Sequence, residues 1–135
     1  MSLRLERLVY ESAATGTTES FGNLAVILAE SERNNDRDGL TGALAAHRDR
    51  YVQVIEGPAQ TLDALLRRLE GDPRHRDIVV IGREPITERR FGRWTMANAR
   101  ITPDHAAALD ELIDRRNMSA ARIVGILLEA VGGRD

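Results

Sequence analysis

Apolar and polar positions alternate, or apolar ones run together, in five short stretches, Arg7–Ser12, Gly39–Ala46, Tyr51–Glu56, Asp77–Gly82 and Arg93–Ala97. Each reads as a β-strand, the fourth especially because it is rich in branched residues. Between them the apolar spacing changes to the helical period. Ser20 can cap a helix whose apolar face is Phe21, Leu24, Ile27 and Leu28 and which runs out in the turn-favouring cluster Arg33-Asn34-Asn35-Asp36. His47–Arg50 suits a hairpin between the second and third strands. Gly57-Pro58 opens a second helix with a stripe of Leu62, Leu65, Leu66 and Leu69, stopped by Gly71-Asp72-Pro73.

The order βαββαββ, with short hairpins and right-handed crossovers, predicts an α+β fold: a ferredoxin-like sandwich with a mostly antiparallel sheet and both helices on one face. The other face then needs cover. Thr102-Pro103 starts a helix carrying Ala106, Leu109, Leu112 and Ile113, and Ser119 can cap another that ends near Gly132-Gly133. In that last helix Ile123, Val124, Ile126, Leu127, Leu128 and Val131 spread round more than one face. It requires burial on several sides, either within its own chain or against another copy.

Within this pattern Gln53 is conspicuous: an uncharged amide stands where alternation directs a side chain into the core. A buried primary amide is costly unless both its oxygen and its nitrogen find partners. Tyr10, inside the apolar run Leu8-Val9-Tyr10, and Asn35, just before Gly39-Leu40-Thr41-Gly42, are candidate neighbours. Taken singly, Tyr10 reads as a core tyrosine, Gln53 as an exposed residue of an edge strand in the opposite register, and Asn35 as a turn residue. Gathered round one cavity, the three suit a polar, planar ligand.

Composition narrows the function. The 135 residues fit one domain, and no second catalytic or output domain is expected within them. Net charge is −2 and all 19 basic residues are arginines, without the basic stripe of a nucleic-acid surface. The absence of cysteine excludes disulfides, thiolate nucleophiles, zinc-thiolate sites and light sensing through a cysteinyl adduct. His47, His75 and His105 lack metal-ligand spacing. No apolar run has signal-peptide length or the roughly 18 residues of a membrane helix, so a cytoplasmic protein without membrane contact is expected.

Several separated segments, in matching order, resemble the BLUF domain, the blue-light sensor that uses FAD. They are Leu8–Ser12, Asn35 with Gly39–Gly42, Tyr51–Gly57, Asp72–His75 and Arg90–Met96, spread over about the first hundred residues. The resemblance implies a flavin-binding domain over residues 1–100 and a helical extension, 101–135, that packs on the sheet, mediates oligomerisation, or both. FAD is the implied cofactor, with FMN or riboflavin as possible substitutes.

It further implies that Tyr10 donates an electron and a proton to the light-excited flavin. Gln53 would relay hydrogen bonds between that phenol and the flavin edge, and Asn35 would clamp the ring's carbonyl and imide edge. Ile27 and Leu69 are candidate walls for the ring. Arg68, Asp72 and His75 fall near the end of the second helix, where such domains touch the cofactor or its mouth; a solvated salt-bridge cluster is the competing reading. Trp94 and Met96 would pass the signal to the sheet's outer face. Strand alternation places both on one side, with either able to face Gln53. Tyr51, Ala45-Ala46 and Thr95 depart from the family's usual residues, which bears on spectral tuning and recovery rate.

The resulting expectation is a photoreceptor without catalytic turnover, signalling to a downstream protein or within its own homo-oligomer. A flavin-free, ferredoxin-like, homo-oligomeric regulatory module is the alternative. An acylphosphatase-like hydrolase on the same sandwich lacks an arginine-rich phosphate cradle after the first strand.

Overall fold

A computed structural model describes residues 4–14, 21–48, 50–71, 75–114 and 119–132; the side chains of residues 14, 21–25, 75, 76, 113, 114 and 132 are outside that description. The elements are β1 (Leu5–Ala14), α1 (Phe21–Asp38), β2 (Thr41–His47), β3 (Arg50–Pro58), α2 (Ala59–Glu70), β4 (His75–Pro85), β5 (Ala97–Asn98), α3 (Pro103–Asp114) and α4 (Ala120–Gly132). The five strands form one sheet in the order β4-β1-β3-β2-β5. All neighbours are antiparallel except β2 and β5. This is the expected α+β, ferredoxin-like arrangement.

The period of two along the strands divides the core. Leu8, Tyr10, Leu44, Tyr51 and Ile55 point to the face covered by α1 and α2, where Ile27, Leu62 and Leu65 meet them. Val9, Ala43, Ala45, Val52 and Val54 point the other way, against Leu109 and Leu112 of α3 and Ile123, Val124 and Leu127 of α4. Both faces of the central strand β3 are therefore buried. The apolar positions that spread round α4 are covered within the chain: Ile126 and Leu128 pack on the same cluster, leaving Ala121, Arg122, Gly125 and Glu129 exposed.

The ends of several elements differ from the sequence expectation. Helix α1 does not run out at Asn35 but continues to Asp38, and Asn35 belongs to it. Its stop is Gly39 in the left-handed region (φ 72°), with the Leu40 N–H returning to the Asn35 carbonyl at 2.9 Å. That is a Schellman closure, which a residue without a Cβ forms at little steric cost. The polar cluster is simply the solvated last turns. Gly57 and Pro58 finish β3 rather than starting α2; Pro58 is its N-cap, still extended at φ −61° and ψ 140°. Strands β2 and β3 run closer to their turn than expected, with His47 and Arg50 already paired across it. Gly71 caps α2, whereas Ser20, Asp72 and Pro73 lie outside the described residues. The caps of the last two helices are met: the His105 N–H donates to Thr102 Oγ1 at 3.2 Å and the Arg122 N–H to Ser119 Oγ at 3.3 Å.

The largest correction concerns Arg93–Ala97, which forms no continuous strand; pairing begins only at Ala97. The backbone groups a strand would use are already engaged. The Arg90 and Phe91 N–H groups donate to the Glu56 carboxylate at 2.9 and 2.8 Å. The Trp94 N–H turns back to the Phe91 carbonyl, while the Trp94 carbonyl accepts from the Gly42 N–H at 3.0 Å. Without the period of two, Trp94 and Met96 do not share a face. Trp94 packs with the α3/α4 core, its ring centroid 6.5 Å from that of Phe91, and Met96 enters the α1/α2 core.

Candidate functional site

Strand register brings Tyr10 directly opposite Gln53, and Gln53 opposite Leu44, across β1, β3 and β2. All three side chains leave the sheet on the α1/α2 side. Between those helices lies a cavity of about 160 Å³. Its floor is Tyr10, Gln53 and Ile55 from the sheet; one wall comes from α1, the other from Leu65, Arg68 and Leu69 of α2, with Met96 closing one side.

Helical spacing explains both walls. Ile27, Glu30, Ser31, Asn34 and Asn35 stand at i, i+3, i+4, i+7 and i+8, and Leu65, Arg68 and Leu69 at i, i+3 and i+4, so each set occupies one face. The pocket joins apolar walls, Ile27, Leu65 and Leu69, to a few polar groups on its floor and rim, a combination that suits a flat heteroaromatic ring.

Tyr10 is 1% exposed and Gln53 3%. Neither side chain is hydrogen-bonded to another described residue, so a phenol and an amide meet the cavity with their bonding capacity unspent. Burial pushes the Tyr10 phenol far above its ordinary range, so it keeps its proton. Asn35, also buried, donates from Nδ2 to the Thr95 carbonyl at 2.6 Å. That acceptor fixes which way the amide points and leaves Oδ1 and one N–H for other partners. It also ties α1 to the segment between Trp94 and Met96. At the mouth, Arg68 forms an ion pair with Asp38 at 3.2 Å. The Arg37 hydrogen bond holds the Asp38 carboxyl below the usual carboxylate range.

Of the expected site residues, Tyr10, Ile27, Asn35, Gln53, Arg68, Leu69 and Met96 converge on this cavity. Trp94 does not; it borders a different groove on the outer edge of the sheet. Asp72 and the His75 side chain lie outside the described residues, although the His75 backbone begins β4. The sequence reading missed Glu30, Ser31, Asn34 and Leu65, which the helical period could have supplied from Ile27 and Leu69.

It also missed Glu56, which no local pattern marks. This carboxylate is wholly buried and accepts from Arg7 Nε at 2.9 Å as well as from the two loop N–H groups. Arg89 adds bonds to the Gly39 carbonyl at 2.8 Å and to Thr41 Oγ1 at 3.0 Å, pinning the loop that carries Trp94 and Met96 to the ends of β2 and β3. Among the described residues no cluster of three or more His, Asp or Glu could hold a metal, and no helix is long and apolar enough to cross a membrane.

Comparison with known proteins agrees with this geometry. The family described as "BLUF: Sensors of blue-light using FAD" matches residues 5–97. The photoactivated adenylate cyclase subunit alpha of Euglena gracilis is 32% identical over 99 residues, 73% of this chain and 10% of that protein. The photoactivated adenylate cyclase subunit beta of Euglena longa is 33% identical over 96 residues, 70% of this chain and 11% of that protein. The chain thus spans about a tenth of the length of these curated relatives. Among solved structures, the dark state of BlrB, a BLUF protein, superposes with a TM-score of 0.78 at 32% identity, covering 98% of both chains. A bacterial light-regulated adenylyl cyclase gives 0.75 at 27% identity, covering 93% of this chain and 40% of that one. The chain belongs to the BLUF family of blue-light flavin sensors.

Proposed function

We propose that this chain is a photoreceptor that holds FAD with its isoalloxazine ring in the cavity between α1 and α2. The observation that carries the reading is the buried pair Tyr10 and Gln53, adjacent in register and open to one cavity without a hydrogen bond to another described residue. When bound, the flavin supplies blue-light absorption and an excited state able to accept an electron and a proton.

The chain's own residues prepare that event. Tyr10 retains its proton in the dark because burial disfavours the phenolate, and so remains a donor of both electron and proton. Gln53 can reverse its donor and acceptor ends by rotating or tautomerising, giving two stable hydrogen-bond patterns around one phenol. Asn35 orients the ring edge with the half of its amide not used by Thr95, and Ile27 and Leu69 exclude water from the ring faces. Arg68, which lines the cavity, would be the contact for a ribityl-phosphate tail. Asp72 and His75 remain proposed contacts at the same mouth. FMN and riboflavin carry the same ring and would satisfy the same cavity floor.

A rearranged Gln53 acts on Met96, which walls the cavity, and from there on Trp94 through the loop they share. The output is a downstream protein or the chain's own oligomer, and no turnover is proposed. Such coupling is reciprocal: a partner that prefers the lit state slows its return to the dark state.

The test is the visible spectrum of the purified chain before, during and after blue illumination. A flavin spectrum that moves to the red and returns in darkness is expected. A chain that stays colourless after FAD reconstitution would leave a ferredoxin-like, homo-oligomeric regulatory module in its place.

A further inference from the structure

The groove beside Trp94 has a volume of about 410 Å³ and follows the free edge of β5. Arg93, Trp94 and Met96 border it on the loop side, Glu32 and Val131 reach it from α1 and α4, and Arg100 stands beyond the strand. Among the described residues β5 ends the sheet and pairs only with β2. Because the Ala99 N–H donates to the Leu44 carbonyl at 2.8 Å, alternation turns the N–H and C=O of Asn98 away from β2, toward the groove. An exposed strand edge of this kind is a template for an added strand.

The side chains along the edge define what that strand should carry. The Arg93 guanidinium lies 5.7 Å from the centroid of the Trp94 ring. Among the described residues neither Arg93 nor Arg100 forms an ion pair, so two cations stand on this edge with their charge uncompensated. Among the described residues lining the groove Glu32 is the single acidic group, which leaves that described lining net positive although the chain is net negative. Partly buried Trp94 provides the apolar surface between the charges, with buried Val131 at the groove's base.

We infer that this groove takes an extended acidic segment of a partner protein, added as a strand to β5, with carboxylates on Arg93 and Arg100 and an apolar side chain on Trp94. Backbone pairing supplies affinity that a small anion could not use, and charge selects the sequence. Met96 borders both this groove and the Tyr10–Gln53 cavity. A seated segment therefore presses on a wall of the light-sensing site. This last consequence rests on the photoreceptor reading, whereas binding itself does not.

The experiment titrates a fluorescein-labelled Val-Glu-Val-Glu-Val peptide into the full chain by anisotropy, with emission of Trp94, the sole tryptophan, as a second readout. Saturable binding that moves Trp94 emission is expected. It should weaken at least tenfold in the Arg93→Glu/Arg100→Glu variant, which should instead take the Val-Lys-Val-Lys-Val peptide. Both substitutions are at exposed positions, so matching circular dichroism is expected for the variant. Equal affinity of parent and variant, or no saturation at millimolar peptide, would overturn the inference. So would a concentration-dependent dimer abolished by the same substitutions, which would give the groove to a second copy. Binding by a chain that stays colourless after FAD reconstitution would support the groove while removing the photoreceptor reading, so the two failures are separable.

Discussion

Tyr10 and Gln53 make their case through unspent hydrogen-bonding capacity in an apolar setting. Both are buried, both face the cavity, and the surrounding Ile27, Ile55, Leu65 and Leu69 offer them no polar partner. In the Tyr10→Phe variant the ring still packs while the donor hydroxyl is gone. The variant should bind flavin and remain yellow but lose the reversible light-induced shift, read by difference spectroscopy. An intact photocycle would remove Tyr10 from the mechanism. Gln53→Leu should behave likewise, because leucine fills the volume without offering two hydrogen-bond patterns.

Between elements, Glu56 is the principal anchor. Its carboxylate joins Arg7 of β1 to the Arg90 and Phe91 backbone, so one side chain holds the loop that delivers Trp94 and Met96 to opposite faces. Glu56→Ala would leave the buried Arg7 guanidinium with only its longer 3.4 Å bond to exposed Glu84, and two loop N–H groups without their acceptor. Breaking a buried pair by removing one partner costs about 3–5 kcal/mol, and a urea denaturation midpoint should fall accordingly. A loss within the range of a surface substitution would show that water replaces the carboxylate. Gly42 has a different role. A Cβ there would run into the Val54 carbonyl oxygen of β3, which is backbone and cannot turn aside. Since Gly42 also donates to the Trp94 carbonyl, Gly42→Ala should destabilise the fold by about 1–3 kcal/mol and shift Trp94 emission, both readable in one melt.

At the scale of the molecule, the sheet is a partition between two cores, and the C-terminal helices cover one of them. Leu127 is fully buried in that core, and Leu127→Ala should cost about 2–5 kcal/mol. A cost near zero in chemical denaturation would mean that α4 does not hold this position in solution. The cover is also latched electrostatically. Arg48 donates to Asp110 of α3 from Nε at 2.6 Å and Nη2 at 2.5 Å, and His47 Nε2 lies 2.8 Å from the same carboxylate. The Arg48 hydrogen bond holds the Asp110 carboxyl well below the usual carboxylate range. A depressed carboxyl contributes stability above its unfolded value and loses it as pH falls toward the folded one. The unfolding midpoint should therefore drop more for the parent than for Asp110→Asn between about pH 6 and about pH 3, a window spanning the unfolded aspartate value. Equal drops would separate the latch from acid stability.

Local pattern in the chain determined the order of elements, the two-sided sheet and the inward direction of Gln53, because periods of 2 and 3.6 are properties of single elements. The same reasoning brought Tyr10 and Asn35 forward as polar residues out of keeping with their apolar surroundings. Only the tertiary structure decided that Asn35 lies within α1, that Pro58 ends a strand, and that Trp94 and Met96 part to opposite faces. For the loop carrying Trp94 and Met96 the bonds responsible join residues 34, 35 and 60 positions apart, from Glu56 to Arg90 and Phe91 and from Asn35 to Thr95. A loop's path is set by whichever distant polar groups satisfy its backbone, and periodicity carries no information about those partners.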